Sequence, residues 1–222
     1  MSTASRPHGR PPVPVERIIA TAVDLLAEHG ADALSMRSLA QRLGSGTATL
    51  YRHFSGRPEL VARVVDSVFA EVKIDTGALR AVPWQQALRM QAKSMFDVLC
   101  RHPNVAPLTI EQNAAGPNAL ALREAALSIL LNAGFEPALA VRAWATIARF
   151  VLGFATQLRS EDQSGQRVAT WTTLNIADYP ASVTVASEVP IPLDEEFTFG
   201  LSMLIVGLED ILGVSSHRNG RE

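Results

Sequence analysis

Apolar residues recur along most of the chain at helical spacing. Val15, Ile18, Ile19, Ala22, Val23 and Leu26 follow the i, i+3, i+4, i+7 rule, which predicts an amphipathic helix closed by Gly30. Ser35 stands where it can cap a second helix that buries Met36, Leu39, Ala40 and Leu43 before Gly44 breaks it. Gly44-Ser45-Gly46 marks a tight turn, and residues 47–54, reading TATLYRHF, form a third, short helix. A fourth, carrying Leu60, Val61, Val64, Val65, Val68 and Phe69, continues to Ile74. The helical period then persists through 83–100, 105–112, 117–133 and 137–158, with Pro83, Pro117 and Pro137 at first-turn positions. Residues 160–192 carry prolines and β-branched residues without a helical stripe, which predicts a long surface loop, and a last helix covers 194–212. The class is all-α, with no strand pattern anywhere.

The third helix is too polar for its setting. Leu50 and Phe54 anchor one flank, and Thr47, Ala48, Thr49, Tyr51, Arg52 and His53 are left to face outward. Helix, glycine turn and short polar helix make a helix-turn-helix, in which the second helix enters the major groove of DNA. Hydroxyls and imidazole suit phosphate oxygens, while a small residue such as Ala48 lets the backbone approach base edges. Arg57 adds charge at the start of the next helix, where free amides already favour phosphate.

Charge follows the same division. The chain has 222 residues and a formal net charge of -2, but the segment through Val61 holds seven arginines against five acidic residues, so the basic excess lies at the N-terminal end. That asymmetry fits a nucleic-acid-binding head joined to a non-binding body. Residues 1–14, rich in proline and basic groups, read as a disordered arm, 15–74 as the DNA-binding domain with its linking helix, and 75–222 as a helical C-terminal domain. In that domain AVRAWATIARFVLGFA and FTFGLSMLIVGL are apolar on nearly every face, which points to a core helix or to a subunit interface built as a four-helix bundle. Gly200 and Gly207, on one face, would let helices approach closely. No secretory signal and no run of 18 uninterrupted apolar residues occurs, so the expectation is a cytoplasmic protein with no membrane partner. Cys100 is the only cysteine and has no metal-ligand spacing around it. No HExxH, GxSxG, CxxC or phosphate-loop motif appears, and His102, Glu111 and Asp178 are scattered, so no catalytic residue is assigned.

LSMRSLAQRLGSGTATLYRHFSGRPELV resembles the DNA-binding segment of the TetR family of transcriptional repressors, with its Thr-Leu-Tyr-x-His-Phe reading helix. The resemblance implies an all-α homodimer that binds a palindromic double-stranded operator and is released by a small-molecule inducer. It puts base or groove contacts at Arg37, Thr47, Ala48 and Tyr51, and phosphate contacts at Ser38, Thr49, His53 and Arg57. The C-terminal segments PWQQALRMQAKSMFDVLCRHP, GFEPALAVRAWATIARFVLG and FTFGLSMLIVGLEDIL are similar to the tetracycline-repressor branch. Where that branch has a metal-binding histidine and a glutamate, Thr109 and Gln157 align here. Neither keeps a magnesium site, so no metal or cofactor is expected and tetracycline-magnesium does not fit as inducer.

Inward positions of the central helices offer candidates for an inducer cavity: Gln91, Met95, Phe96, Thr109, Gln112, Trp144 and Phe154, with Trp171 from the long loop as a lid. Gln91 is the most telling, since an amide on an apolar helix needs a partner or a ligand. Two rival classes stand beside the regulator: an architectural DNA-binding protein without a ligand, and an all-α enzyme.

Overall fold

A computed structural model describes residues 13–112, 115–158, 175 and 177–219. Among the described residues there are eleven α-helices and no strand. The expected arm lies almost wholly outside the described residues, as does Trp171. The chain forms two compact units that divide inside the fourth helix, between Val64 and Val65.

In the first unit α1 (Val15–His29) buries Ile18, Ala22, Leu25 and Leu26. A single 3₁₀ turn, Ala31–Ala33, leads to α2 (Met36–Arg42). Ser35 begins α2 with a reciprocal cap: its Oγ accepts from the Ser38 amide and the Ser38 Oγ accepts from the Ser35 amide, both at 3.0 Å. Gly44 then takes φ +60°, a left-handed conformation that costs glycine nothing, and the Ser45 amide closes the turn on the Ala40 carbonyl at 2.9 Å. The following α3 is only Thr47–Tyr51, shorter than the 47–54 expected. His53 and Phe54 both donate their amides to the Leu50 carbonyl at 2.9 Å, so the chain leaves the helix by tightening on one acceptor. The helix is short because Ser55 and Gly56 must start α4 (Arg57–Phe69), whose Glu59 accepts from the Ser55 amide and hydroxyl at 2.7 and 2.8 Å.

The second unit is built around α9 (Pro137–Gln157), which packs against α6 (Trp84–Arg101), α7 (Ala106–Gln112), α8 (Pro117–Asn132) and α11 (Leu193–Asn219). Three short elements of this unit were not expected. Asp75 caps α5 (Thr76–Arg80) by accepting from the Gly77 and Ala78 amides at 2.9 and 3.0 Å. Within the segment expected to be a long loop lie α10 (Pro180–Thr184), with proline in its first turn, and a 3₁₀ turn at Ala186–Glu188. The core of this unit is built on a phenylalanine cluster: buried Phe96 stacks on buried Phe197 at 4.0 Å between ring centroids, and half-buried Phe150 and Phe154 close around Phe197 at 5.4 and 5.7 Å.

One face of α11, Phe197, Leu201 and Ile205, is buried in this core. Its other face stays apolar and open, with Phe199 66% exposed, Met203 56% and Val214 67%. Gly200 answers to its own chain: a Cβ there would lie 2.7 Å from the Phe150 ring, so the glycine lets α11 cross α9 closely, while Gly207 faces open space. The two glycines therefore do not serve one helix crossing. By length and composition, α9 and the Leu193–Val214 part of α11 are apolar enough to cross a membrane.

Candidate nucleic-acid interface and effector cavity

The reading helix is assembled as its sequence suggests. Leu50 and Phe54 are buried, and Tyr51 is 56% exposed beside exposed Thr47, Ala48 and Arg52. Thr49 and His53 are half-buried at the flank, and Arg37 projects from α2 into solvent. An aromatic ring held in water next to hydroxyls and guanidinium groups has no packing role in this unit. A surface of donors and flat apolar edges is what groove recognition requires.

Two of the eight expected DNA contacts also hydrogen-bond within the protein. Ser38 Oγ donates to the Ala33 carbonyl at 2.6 Å while serving the α2 cap. Arg57 Nε donates to the Leu34 carbonyl at 2.8 Å, and its Nη2 reaches the Ala31 carbonyl at 3.4 Å. The guanidinium thus ties the start of α4 to the 3₁₀ segment ahead of α2. Arg42 braces the same unit from outside: its guanidinium grips the Glu28 carboxylate in a two-pronged pair, one prong at 2.6 Å. That bond, more than the accompanying charge, holds the Glu28 carboxyl below the usual value of 4.5, and Glu59 is lowered in the same direction by its bonds from Ser55.

Residues 18–64 match the family described as bacterial regulatory proteins, tetR family, and residues 77–212 match the tetracyclin repressor-like C-terminal domain. The chain belongs to the TetR family of transcriptional regulators. It is 31% identical over 213 residues to an HTH-type transcriptional regulator of Saccharopolyspora erythraea, covering 92% of this chain and 88% of that one. Among solved structures, apo ActR from Streptomyces coelicolor superposes with a TM-score of 0.81 at 28% identity, covering 93% of this chain and all of that one. ActR in complex with actinorhodin superposes at 0.79 with 29% identity over 91% of this chain and 99% of that one. The TetR family is one of non-enzymatic DNA-binding regulators, which removes the enzyme alternative.

In the C-terminal unit of this TetR-family protein, the residues expected to line one inducer cavity are dispersed. Phe96 and Phe154 belong to the phenylalanine core. Trp144 lies under the Arg123 guanidinium, 5.8 Å from the ring centroid, which ties α9 to α8. Thr109 is buried, and its hydroxyl is spent on the Val105 carbonyl at 3.1 Å. Met95 is half-buried, and the side chain of Gln112 lies outside the described residues. Only Gln91 lines a described cavity, one of about 500 Å³ between α5 and α6 with Ile74, Met90, Ser94 and Asp97. Its Nε2 donates to the Leu122 carbonyl at 2.6 Å, and its buried Oε1 has no partner among the described residues. An unpaired buried acceptor is costly, and it is an anchor for a ligand O–H or N–H.

A larger cavity, about 750 Å³, lies between α5 and α8 and was missed by the sequence reading. Trp84, Leu79 and Val82 form one wall, and Ala121, Ala125 and Ile129 form the other, with Arg80 and Glu124 among the polar lining groups. This volume falls in the range of small-molecule sites. Two signals pointed to it: Asp75 ahead of Thr76, a helix start, and the alanine-rich outer stripe of α8, which leaves room beside it. The family's tetracycline-magnesium site does not fit. Thr109 and Gln157 supply no carboxylate, Gln157 is exposed, and among the described residues no three His, Cys, Asp or Glu side chains converge.

Proposed function

We propose that this protein is a homodimeric, cytoplasmic repressor that binds a palindromic operator and lets go when a small molecule enters its C-terminal domain. The carrying observation is the α3 surface, where Leu50 and Phe54 fix a helix whose Thr47, Ala48 and Tyr51 are offered outward. Arg37, Thr49 and His53 flank that surface and complete the set of DNA contacts. Ser38 and Arg57 brace it. Two reading helices in successive major grooves stand about one turn, roughly 34 Å, apart.

The open apolar face of α11 supports the dimer. Phe199, Met203, Val206 and Val214 recur at helical spacing on the side away from the core, and in a transcription regulator the surface that covers them is a second copy. Arg142 and Arg149, both exposed along α9, speak against lipid as the cover. ActR, solved with actinorhodin, supports a small-molecule effector in this chain, with the α5–α8 cavity and the Gln91 acceptor as the places to hold it. Release by ligand needs a hundredfold loss of operator affinity, or about 2.7 kcal/mol of coupling.

Selection of duplexes from random sequence tests the reading directly. The expected result is a palindrome bound by a dimer, with the mass confirmed by light scattering, and dissociation by one member of an effector panel that starts with actinorhodin. A non-palindromic preference, or a monomer at micromolar concentration, overturns the repressor geometry. A palindromic complex that no small molecule disturbs favours the architectural reading.

A further inference from the structure

Helix α4 carries an anomaly. Its buried stripe is Leu60, Val61, Val64, Val65, Val68 and Phe69, yet Asp66 is buried with it, only 7% exposed. A carboxylate there must be fully partnered or it is prohibitive. Among the described residues its carboxylate's partners come from one place, the first turn of α8. Asp66 Oδ1 accepts from the Asn118 and Ala119 amides at 3.0 and 3.1 Å, and Oδ2 accepts from Asn118 Nδ2 at 2.9 Å. Asn118 Nδ2 also donates to the Asp66 carbonyl at 3.2 Å.

The approach is close enough to dictate a neighbour. A Cβ on Gly116, the residue before α8, would lie 2.2 Å from the Asp66 carboxyl group. Only glycine admits the carboxylate. α8 has no cap of its own, since Gly116 offers no side chain, so its free amides are satisfied from another helix. The charge also sits at the positive end of the helix dipole.

A second polar link lies just beyond α4. Glu71 meets His102 Nε2 at 2.8 Å and Arg101 Nη2 at 3.2 Å, but Glu71 and Arg101 are exposed and their attraction is screened by water. α8, in turn, touches both cavities: its outer stripe lines the larger one, and its Leu122 carbonyl holds Gln91 of the smaller. α4 runs on through the division at Val64/Val65.

We propose that Asp66 is the positioning residue through which α8, at the effector cavities, and α4, which enters the DNA-binding unit, move as one. The inference rests on the DNA-binding reading above. A ligand that shifts or tilts α8 displaces the acceptor-bound first turn, and the buried carboxylate, held by three hydrogen bonds from that turn, transmits the displacement to α4. The converse follows by linkage: DNA that fixes α4 must alter the first turn of α8.

Hydrogen exchange tests the converse without knowledge of the effector. The probe is a duplex selected from random sequence by the wild-type protein, and the readout is exchange at the Asn118 and Ala119 amides with and without it. In the wild type, DNA is expected to change exchange there at least fivefold. Asp66→Asn keeps Oδ1 but sets an amide against the Asn118 amide, and the DNA-induced change is expected to vanish while the duplex still binds. Asn118→Asp sets two carboxylates together and is expected to behave alike. The double swap restores a donor facing an acceptor and is expected to restore the change, which a merely structural role would not require. The single variants remain comparable only while their helical content matches wild type by circular dichroism; if both unfold, the swap and the conservative Asp66→Glu carry the comparison. No change in wild type, or the same change in Asp66→Asn, overturns the proposal. Failure to select any duplex overturns the DNA-binding reading instead.

Discussion

Replacing Arg57 with alanine separates two roles for one guanidinium. If Arg57 is a brace, the variant loses the 2.8 Å bond to the Leu34 carbonyl and the longer contact to Ala31. A hydrogen bond with one charged partner contributes about 1.5–3 kcal/mol, and the half-buried setting, where water partly replaces it, argues for the lower end, about 1.5–2 kcal/mol. For a chain of this size each kcal/mol moves the melting temperature about 2–4 °C, so the expected fall is about 3–8 °C by scanning calorimetry. The DNA arm of the experiment is the salt dependence. Each phosphate contact adds about 0.9 to the slope of log K against log salt, so loss of one contact per subunit would make a dimer's slope shallower by about 1.8. The brace predicts an unchanged slope. Arg57→Lys, which keeps the charge and loses the planar fork, is expected to melt low with the same slope. An unaltered melting temperature together with a slope shallower by about 1.8 would falsify the internal role and return Arg57 to the phosphates.

Three other outcomes are expected. Tyr51→Ala weakens binding to the selected duplex by roughly 1–3 kcal/mol in gel-shift titrations and narrows the gap between matched and mismatched duplexes; an unchanged specificity ratio removes Tyr51 from the reading surface. Met203→Glu places a carboxylate on the open face of α11 and is expected to leave a folded monomer by light scattering at micromolar concentration, whereas a persisting dimer shows that another face makes the interface. Glu28 and Glu59 both have folded-state values below 4.5, so the stability they contribute is present above that pH and is lost as pH falls through their lowered values. Glu28→Gln should therefore flatten the acid side of a melting-temperature profile between pH 7 and 3, and a profile parallel to wild type contradicts the Arg42 pairing.

Much of the fold was legible because helices announce themselves locally. The i, i+3, i+4 stripe of α1, the Ser35 cap and the Gly44 turn need only neighbours in sequence, and each was found where expected. The reading helix was legible in its position and polarity but not in its length, since it ends at Tyr51 and not at Phe54. Short elements were the misses. α5 depends on the Asp75 side chain closing on two amides, and α10 is a single proline-led turn pair too brief to show a period.

The candidate cavities were far less legible, since a cavity is what packing leaves over. Phe96 and Phe154 have the spacing of lining residues, and both meet Phe197 of α11, about a hundred positions away from Phe96, which stacks on the buried Phe96 and sets its edge against the half-buried Phe154. Trp84 and Ile129 carry no sign in sequence that they face a shared void.

The sequence by itself determined the helices, the turn between α2 and α3, and the chemistry that α3 presents, all of which follow from short-range sterics and hydrogen bonding. Tertiary structure alone decided which neighbours the polar groups meet. Arg57 and Ser38 have the chemistry of phosphate ligands, and only the fold brings the carbonyls of Leu34 and Ala33 within their reach. Asp66 looks like an error in an apolar stripe until the α8 amides arrive from 52 and 53 positions away. A side chain's donors are written in its name, and their availability depends on neighbours that only folding supplies.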